Sequence, residues 1–147
     1  MQKQEFLKNL MAGQDGECPC CGRYAKVYKR RLHGSAARQL IQLFKLGGAM
    51  QYVHTSQLLL PGETGVGDFT KAKYWGLIEE QENFNGKTRT SGMWALTRAG
   101  VEFVEGRRSI MQIAQIFDDR VLGFEGQMVG IKECLGEDFD YSRLMAA

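Results

Sequence analysis

The chain has 147 residues, of which 44% are hydrophobic and 24% are charged. This length and composition allow a hydrophobic core and exclude a disordered chain. No apolar run approaches the ~18 residues of a membrane-spanning helix, and the first residues lack the apolar core of a signal peptide. We therefore expect a cytoplasmic protein.

The formal net charge of +2 hides an uneven distribution of charged residues. Residues 18–62 contain seven Lys or Arg and no Asp or Glu, whereas residues 109–147 contain three basic and seven acidic residues. A long cationic stretch without carboxylates favours an anionic partner such as nucleic acid. The acidic C-terminal segment would be repelled by the same partner.

The first predicted elements are a short strand and a strong helix. Alternation of polar and aromatic residues predicts the strand over 24–30. Ser35 is placed to cap a helix over 36–46, which carries an apolar stripe and ends at Gly47-Gly48.

A second group of predicted elements comes after this helix. It comprises a strand over 50–53, a turn of helix over 56–60 capped by Thr55 or Ser56, and a helix over 69–77 capped by Asp68. In the last of these helices we expect four residues to face the core, namely Phe69, Ala72, Trp75 and Leu77.

A hairpin and a third helix come next. Residues 77–82 and 93–96 read as two strands joined by a turn that contains Asn85-Gly86. Thr97 is placed to cap a helix over 98–105, and Gly106 ends it.

The C-terminal part is predicted to be an antiparallel β-meander followed by a closing helix. Its strands are expected over 110–117, 120–124 and 128–132, with tight turns between them. Asp140 is placed to cap the helix over the following residues to Ala146.

The order of elements from Ser35 to Gly106 is helix, short helix, helix and two-stranded hairpin. Residues 94–103, WALTRAGVEF, carry an aromatic residue, a Leu-Thr pair and a glycine at a recurring spacing. Together they resemble winged-helix (MarR-like) DNA-binding domains. The resemblance implies a winged-helix domain over 35–108. With the other predicted elements, we expect an α+β protein with a zinc-knuckle-like arm over 1–34 and the meander and closing helix over 109–147.

A second resemblance spans most of the chain. It rests on CPCCG at 18–22 with the basic residues after it, KYWGLIE at 73–79 and FDYSRLM at 139–145. These segments resemble an uncharacterised family of small bacteriophage and prophage proteins. The resemblance implies a bacterial host cytoplasm and adds no mechanism.

Cys18 and Cys21 have the spacing of half a zinc ribbon, in which two thiolates hold one side of a tetrahedral zinc ion. The sequence does not identify the other zinc ligands. Cys20 and His33 are the first candidates, with His54 and Cys134 further along the chain. Alternatively two chains share one zinc, or the knuckle is a metal-free turn or, less in keeping with its context, a redox thiol pair.

The winged-helix resemblance implies which residues would face DNA. Helix 69–77 would be the recognition element, and the hairpin loop would reach phosphate or the minor groove. The candidate DNA-binding residues are Thr70, Lys71, Lys73 and Tyr74 on the helix, Lys87 and Arg89 on the loop, and Arg30 and Arg31 on the preceding strand.

Strand periodicity divides the basic residues of the 24–31 stretch. Lys26, Tyr28 and Arg30 should share one face of the strand, whereas Lys29 and Arg31 should take the other. Not all of these cations can therefore contact the same duplex. The ordinary alternative is a solvated surface without a partner.

We expect a non-enzymatic DNA-binding regulatory protein that works as a homodimer. Enzymatic readings are weak because His33 and His54 have no neighbouring carboxylate, and the glycine-rich loop at 62–67 lacks the ending of a phosphate-binding loop. Helix 69–77 carries only two cations, and this small number argues against strong DNA binding. The alternative is therefore a protein-binding module that docks on a host protein or nucleic-acid machine.

Overall fold

The computed structural model describes residues 16–17, 24–63, 65–82 and 91–146. They form two compact units. The first contains the described residues up to Arg31 together with Met111–Gln127, and the second contains those of Leu32–Ile110 and Met128–Ala147. Residues 32–110 of the second unit are therefore interposed between the two segments of the first, and residues 128–147 of the second unit follow.

Strands, α-helices and two 3-10 helices, η1 and η2, alternate along the chain. In order they are β1 (Gly16–Glu17), β2 (Tyr24–Ala25), β3 (Tyr28–Arg31), α1 (Gly34–Lys45), β4 (Val53–His54), η1 (Thr55–Leu58), η2 (Gly67–Trp75), β5 (Ile78–Glu80), β6 (Met93–Leu96), α2 (Arg98–Val104), β7 (Ile110–Phe117), β8 (Arg120–Val129), α3 (Ile131–Leu135) and α4 (Tyr141–Ala146).

The first unit is built from two antiparallel sheets. β1 pairs with β2, and a second sheet has the order β3-β7-β8. β3 lies antiparallel to β7, with Tyr28 opposite Ile116 and Arg31 opposite Ile113. Because β7 is the central strand, its residues Ala114, Gln115 and Ile116 are buried. The predicted N-terminal arm and C-terminal segment thus share one sheet.

A two-residue turn joins β7 to β8. Asp118 and Asp119 both have positive φ, 51° and 59°. Two successive left-handed residues match the right-handed twist of a hairpin, and Asp tolerates this conformation better than most residues. The tight turn predicted here is confirmed.

The second unit packs its helices around one hydrophobic core. Leu40, Ile41 and Leu43 of α1 are fully buried, as are Phe69 of η2 and Phe103 of α2. A three-stranded sheet of order β4-β6-β5 covers this core. Within the core, the ring of Trp94 meets that of Phe69 edge to face, with centroids 6.1 Å apart.

The α+β class and the antiparallel sheets are confirmed, and so are two caps. The hydroxyl of Thr97 accepts a hydrogen bond from the Gly100 amide at 3.1 Å at the start of α2. The Asp140 carboxylate accepts one from the Arg143 amide at 2.9 Å at the start of α4. Short polar side chains before an apolar helical pattern therefore predicted these two helix starts correctly.

Three other predicted caps are wrong. The turn of helix predicted over 56–60 is η1, which begins at Thr55 and is capped by His54 rather than by Thr55 or Ser56. α1 begins at Gly34 rather than after Ser35, and its cap residue His33 makes no side-chain capping hydrogen bond. The helix predicted over 69–77 is the 3-10 helix η2, which begins at Gly67, so that Asp68 lies inside its first turn. The predicted strand over 24–30 is divided between β2 and β3.

The prediction of a separate third meander strand over 128–132 is also wrong. β8 continues through the predicted turn at 125–126 to Val129, because the positive φ of Gly126 (90°) absorbs the bend without ending the strand. Ile131–Leu135 is helix α3. The Glu133 carboxylate caps this helix by accepting a hydrogen bond from the Gly130 amide at 3.0 Å.

Gly100 allows α2 to approach the segment before β5. A β-carbon on Gly100 would overlap the carbonyl oxygen of Leu77, which already accepts a hydrogen bond from the Thr97 amide at 3.1 Å. We expect Gly100→Ala to lower the free energy of unfolding by about 1–3 kcal/mol, because two backbone segments must separate.

Urea unfolding of Gly100→Ala, with Gly65→Ala as the matched control, checks this expectation. A β-carbon on Gly65 meets no atom within 4 Å, so the control should stay within about 0.5 kcal/mol of the unsubstituted protein. Equal unfolding midpoints for the two variants would show that the backbone near Leu77 moves to accept the β-carbon without loss of stability.

Candidate nucleic-acid interface

The three-residue period of η2 decides which of its side chains face the core. A 3-10 helix has three residues per turn, so residues three apart lie in one row. Phe69 and Ala72 are buried and Trp75 is partly buried against the core, and these three form the inner row. The predicted core positions Phe69, Ala72 and Trp75 are therefore correct, although the helix type is not.

The two outer rows of η2 carry the polar residues. One row contains Thr70 and Lys73, and the other contains Lys71 and Tyr74. Lys73 is exposed, whereas Thr70, Lys71 and Tyr74 are partly buried. Nζ of Lys71 lies 6.0 Å from the Tyr74 ring centroid and Nζ of Lys73 lies 5.4 Å from it. Both cations thus converge on one aromatic ring.

A buried arginine connects α1 to the segment that leads into η2. Arg38 is 5% exposed, and its Nη2 donates to the Leu58 carbonyl at 2.9 Å and to Oε1 of Glu63 at 3.1 Å. The same Glu63 oxygen accepts a hydrogen bond from the Leu60 amide. Burial lowers the pKa of Arg38 and the Glu63 charge partly opposes this effect, but a guanidinium remains protonated at neutral pH.

Carboxylates follow η2 on β5 and directly after it. Glu79 and Glu82 are exposed, and Glu80 is partly buried with its Oε2 lacking a hydrogen-bond partner among the described residues. These negative charges lie within a few residues of Lys73 in sequence. They reduce the positive potential that the η2 surface can offer to phosphate.

A second cationic surface lies on β3, in the other compact unit. The Arg30 guanidinium carbon is 4.9 Å and Nζ of Lys26 is 5.6 Å from the Tyr28 ring centroid. Lys29 instead forms an ion pair with Glu125 at 3.0 Å. The predicted division of the basic residues between two faces is confirmed for these residues.

The predicted site residues therefore fall into three groups. Thr70, Lys71, Lys73 and Tyr74 share the outer surface of η2. Arg30 and Arg31 belong to β3 of the first unit. Lys87 and Arg89 lie outside the described residues. That any of these residues binds DNA stays a prediction.

Sequence reasoning missed Arg38, which it counted among the cations available to a partner. The sequence did carry one signal that Arg38 is buried and paired with Glu63. Arg38 falls within the apolar helix 36–46, and Glu63 is the first carboxylate after the long stretch without any. A cation on a core-facing helix requires a buried partner, and the nearest downstream carboxylate supplies it.

The candidate zinc ligands are only partly covered by the described residues. Cys18, Cys20 and Cys21 lie outside them. His33 is exposed immediately before α1. Among the residues that the structure describes, no group of three or more His, Cys, Asp or Glu side chains lies close enough together to hold a metal ion.

His54, the second histidine considered as a ligand, has a structural role. Its Nδ1 accepts a hydrogen bond from the Ser56 amide at 3.1 Å and so caps η1. The same nitrogen lies 2.8 Å from the Ser56 hydroxyl.

Across the described parts of the chain, no helix combines the length and the apolar character needed to cross a bilayer.

Cys134 should react slowly near neutral pH. Burial, with a smaller contribution from the Glu133 charge, raises the pKa of Cys134 to about 11. Only about one thiol in a thousand is then ionised at pH 8, and the thiolate is the reactive form. We expect iodoacetamide to label Cys134 at least about 100-fold more slowly in the folded protein than in urea.

Peptide mapping by mass spectrometry after timed labelling measures this rate for Cys134 alone. Raising the pH toward 11 should speed labelling of the folded protein, because deprotonation follows the raised pKa. Equal rates in buffer and in urea at pH 8 would show that Cys134 is not protected.

Comparison of the chain with protein-family models, with curated proteins and with solved structures finds no match in any of the three.

Proposed function

We propose that this chain is a non-enzymatic DNA-binding regulatory protein that contacts duplex DNA through a winged-helix unit. The order α1, β4, η1, η2, β5, β6 and α2 supports this reading. So does the strand pairing, because the returning strand β6 lies between β4 and β5. The β5-β6 hairpin is thereby joined to the strand that precedes the two 3-10 helices.

The outer surface of η2 is the observation that carries the proposal. Its inner row is fixed in the core by Phe69 and Ala72, so the backbone that presents the outer rows is held in place. Lys71 and Lys73 would contact phosphates, which position a protein on a duplex. Thr70 and Tyr74 lie beside them and would reach sugar or base edges.

Further cations extend the proposed contact. Lys87 and Arg89, which lie between β5 and β6 in the sequence, would reach phosphate or the minor groove. Arg30 and Arg31 of the first unit would make separate contacts to a DNA backbone. Each neutralised phosphate contributes about −0.9 to the slope of log affinity against log salt. A monomer that relied on Lys71 and Lys73 alone would bind weakly, which favours a homodimer on two half-sites.

The first test of the proposal is a charge reversal on η2. We expect Lys71→Glu/Lys73→Glu to weaken duplex binding by about 10-fold or more, because two attractive phosphate contacts become repulsive. Fluorescence anisotropy at two salt concentrations, with a labelled duplex of mixed sequence, measures the loss and the change in salt slope.

The matched control is Lys45→Glu/Lys132→Glu, which changes the net charge equally at two exposed lysines outside η2. This control should lower affinity by no more than about 3-fold through the long-range field. Equal losses in the two double variants would reject η2 as the interface. No binding of the unsubstituted protein at low salt would reject the DNA proposal.

Exposed apolar side chains favour a second candidate, a module that docks on a host protein. Met50 is 91% exposed, and Tyr52, two residues later, is also exposed. Both precede β4 in the second unit. Methionine adapts to varied apolar partners, and exposed apolar groups recur at protein contacts. Failure of DNA binding would direct attention to this surface.

We also propose that the cysteine knuckle binds zinc. Cys18 and Cys21 would supply two thiolates, and Cys20 and His33, of which His33 is exposed, are the first candidates to complete the set. Zinc bound in this way would stabilise the fold and take no part in a reaction.

Metal analysis of the purified protein tests this proposal and its alternatives. One zinc per chain indicates a site completed within the chain, and one zinc per two chains indicates a shared site. We expect Cys18→Ser/Cys21→Ser to lose the metal and Cys134→Ser to keep it, because among the described residues Cys134 belongs to no group of three or more side chains that could hold a metal ion. A folded protein without zinc would contradict the proposal.

A further inference from the structure

The two faces of the sheet β3-β7-β8 differ in how their cations are balanced. On one face, Lys29 pairs with Glu125, which also accepts a hydrogen bond from the Gln115 amide group at 2.8 Å. The neighbouring lysine lowers the pKa of Glu125, so the carboxylate stays charged at neutral pH. The positive charge of Lys29 is therefore neutralised within the protein.

On the other face, Lys26 and Arg30 both lie against the Tyr28 ring. Within the described residues, neither of these two cations forms an ion pair. Two like charges at one ring repel each other, and the attraction of each to the ring only partly offsets that repulsion. An anion placed beside both would remove the repulsion.

The aromatic ring makes this surface more than a charge cluster. Tyr28 is 48% exposed. β3 is an edge strand of its sheet, so the side away from β7 carries no strand of that sheet. A ligand with both a flat ring and a phosphate would engage the tyrosine, the planar guanidinium of Arg30 and the ammonium of Lys26 together.

Unpaired nucleotides have this combination. In a duplex each base is stacked between its neighbours, and its face is not accessible to a side chain. In a single strand the bases are free to stack on tyrosine or arginine, and the phosphates are met by the cations. We propose that Lys26, Tyr28 and Arg30 form a binding site for single-stranded nucleic acid, with Tyr28 stacking on a base.

This site lies in the first compact unit, whereas η2 lies in the second. Single-strand binding through Tyr28 therefore does not require duplex binding through Lys71 and Lys73. The two activities can be removed separately, so failure of one proposal is distinguishable from failure of the other.

The test uses fluorescence anisotropy of the full chain with a labelled oligothymidylate. We expect Tyr28→Ala to weaken binding by about 10-fold, in line with the loss of one stacked base. Tyr28→Phe should restore affinity to within about 2-fold, because it keeps the ring and removes only the hydroxyl. Replacement of Lys26 and Arg30 by alanine should reduce the salt slope by about 1.4.

Lys29→Ala is the matched control, since it removes a cation of the same strand from the opposite face. It should leave oligothymidylate affinity within about 2-fold and the salt slope nearly unchanged. Circular dichroism of each variant checks that the fold is intact. Oligouridylate in place of oligothymidylate shows whether RNA or DNA is the preferred source of the single strand.

Two results would overturn the proposal. One is an affinity of Tyr28→Ala equal to that of the unsubstituted protein, and the other is an equal loss in Lys29→Ala. The supporting pattern is reciprocal. Tyr28→Ala loses the single strand and keeps duplex affinity, whereas Lys71→Glu/Lys73→Glu loses the duplex and keeps the single strand.

Discussion

The buried guanidinium of Arg38 constrains the part of the second unit that carries the proposed duplex contact. A charge removed from water requires hydrogen-bond partners of good geometry. The two partners here are the Leu58 carbonyl at the end of η1 and the Glu63 carboxylate between η1 and η2. The position of this segment against α1 is therefore decided by electrostatics as well as by apolar packing. The helix η2 is next along the chain and begins at Gly67.

From that point the period of η2 determines the rest of the surface. An α-helix would spread Phe69, Ala72 and Trp75 over an arc, whereas three residues per turn align them in one row against the core. The same alignment leaves Lys71 and Lys73 in separate outer rows on either side of that row, where both reach the Tyr74 ring. Core packing and surface chemistry are thus two results of one helix geometry.

Much of this fold could be predicted from signals within a few residues of one another, whereas contacts between distant segments could not. The caps at Thr97 and Asp140 were predictable because each uses a side chain within three residues of its partner. The same rule failed at Ser35, because α1 begins at Gly34, two residues before the predicted start. The pairing of β3 with β7 and the Arg38–Glu63 contact join distant segments, and a single sequence carries only weak signals for them. The shared face of Lys26, Tyr28 and Arg30 was predictable from strand alternation, but the pairing of Lys29 with Glu125 was not.

The interposed position of the second unit has a consequence for folding during synthesis. β3 finds its partner β7 only after the intervening 32–109 stretch has left the ribosome, since Tyr28 pairs with Ile116. The β7-β8 hairpin needs only its own two-residue turn and can form locally as soon as it emerges. β3 then adds to a hairpin already in place, which makes closure of this sheet a late and slow step with a high contact order. Until then an edge of β7 stays open, and the nascent chain is most prone to wrong strand pairing during that interval.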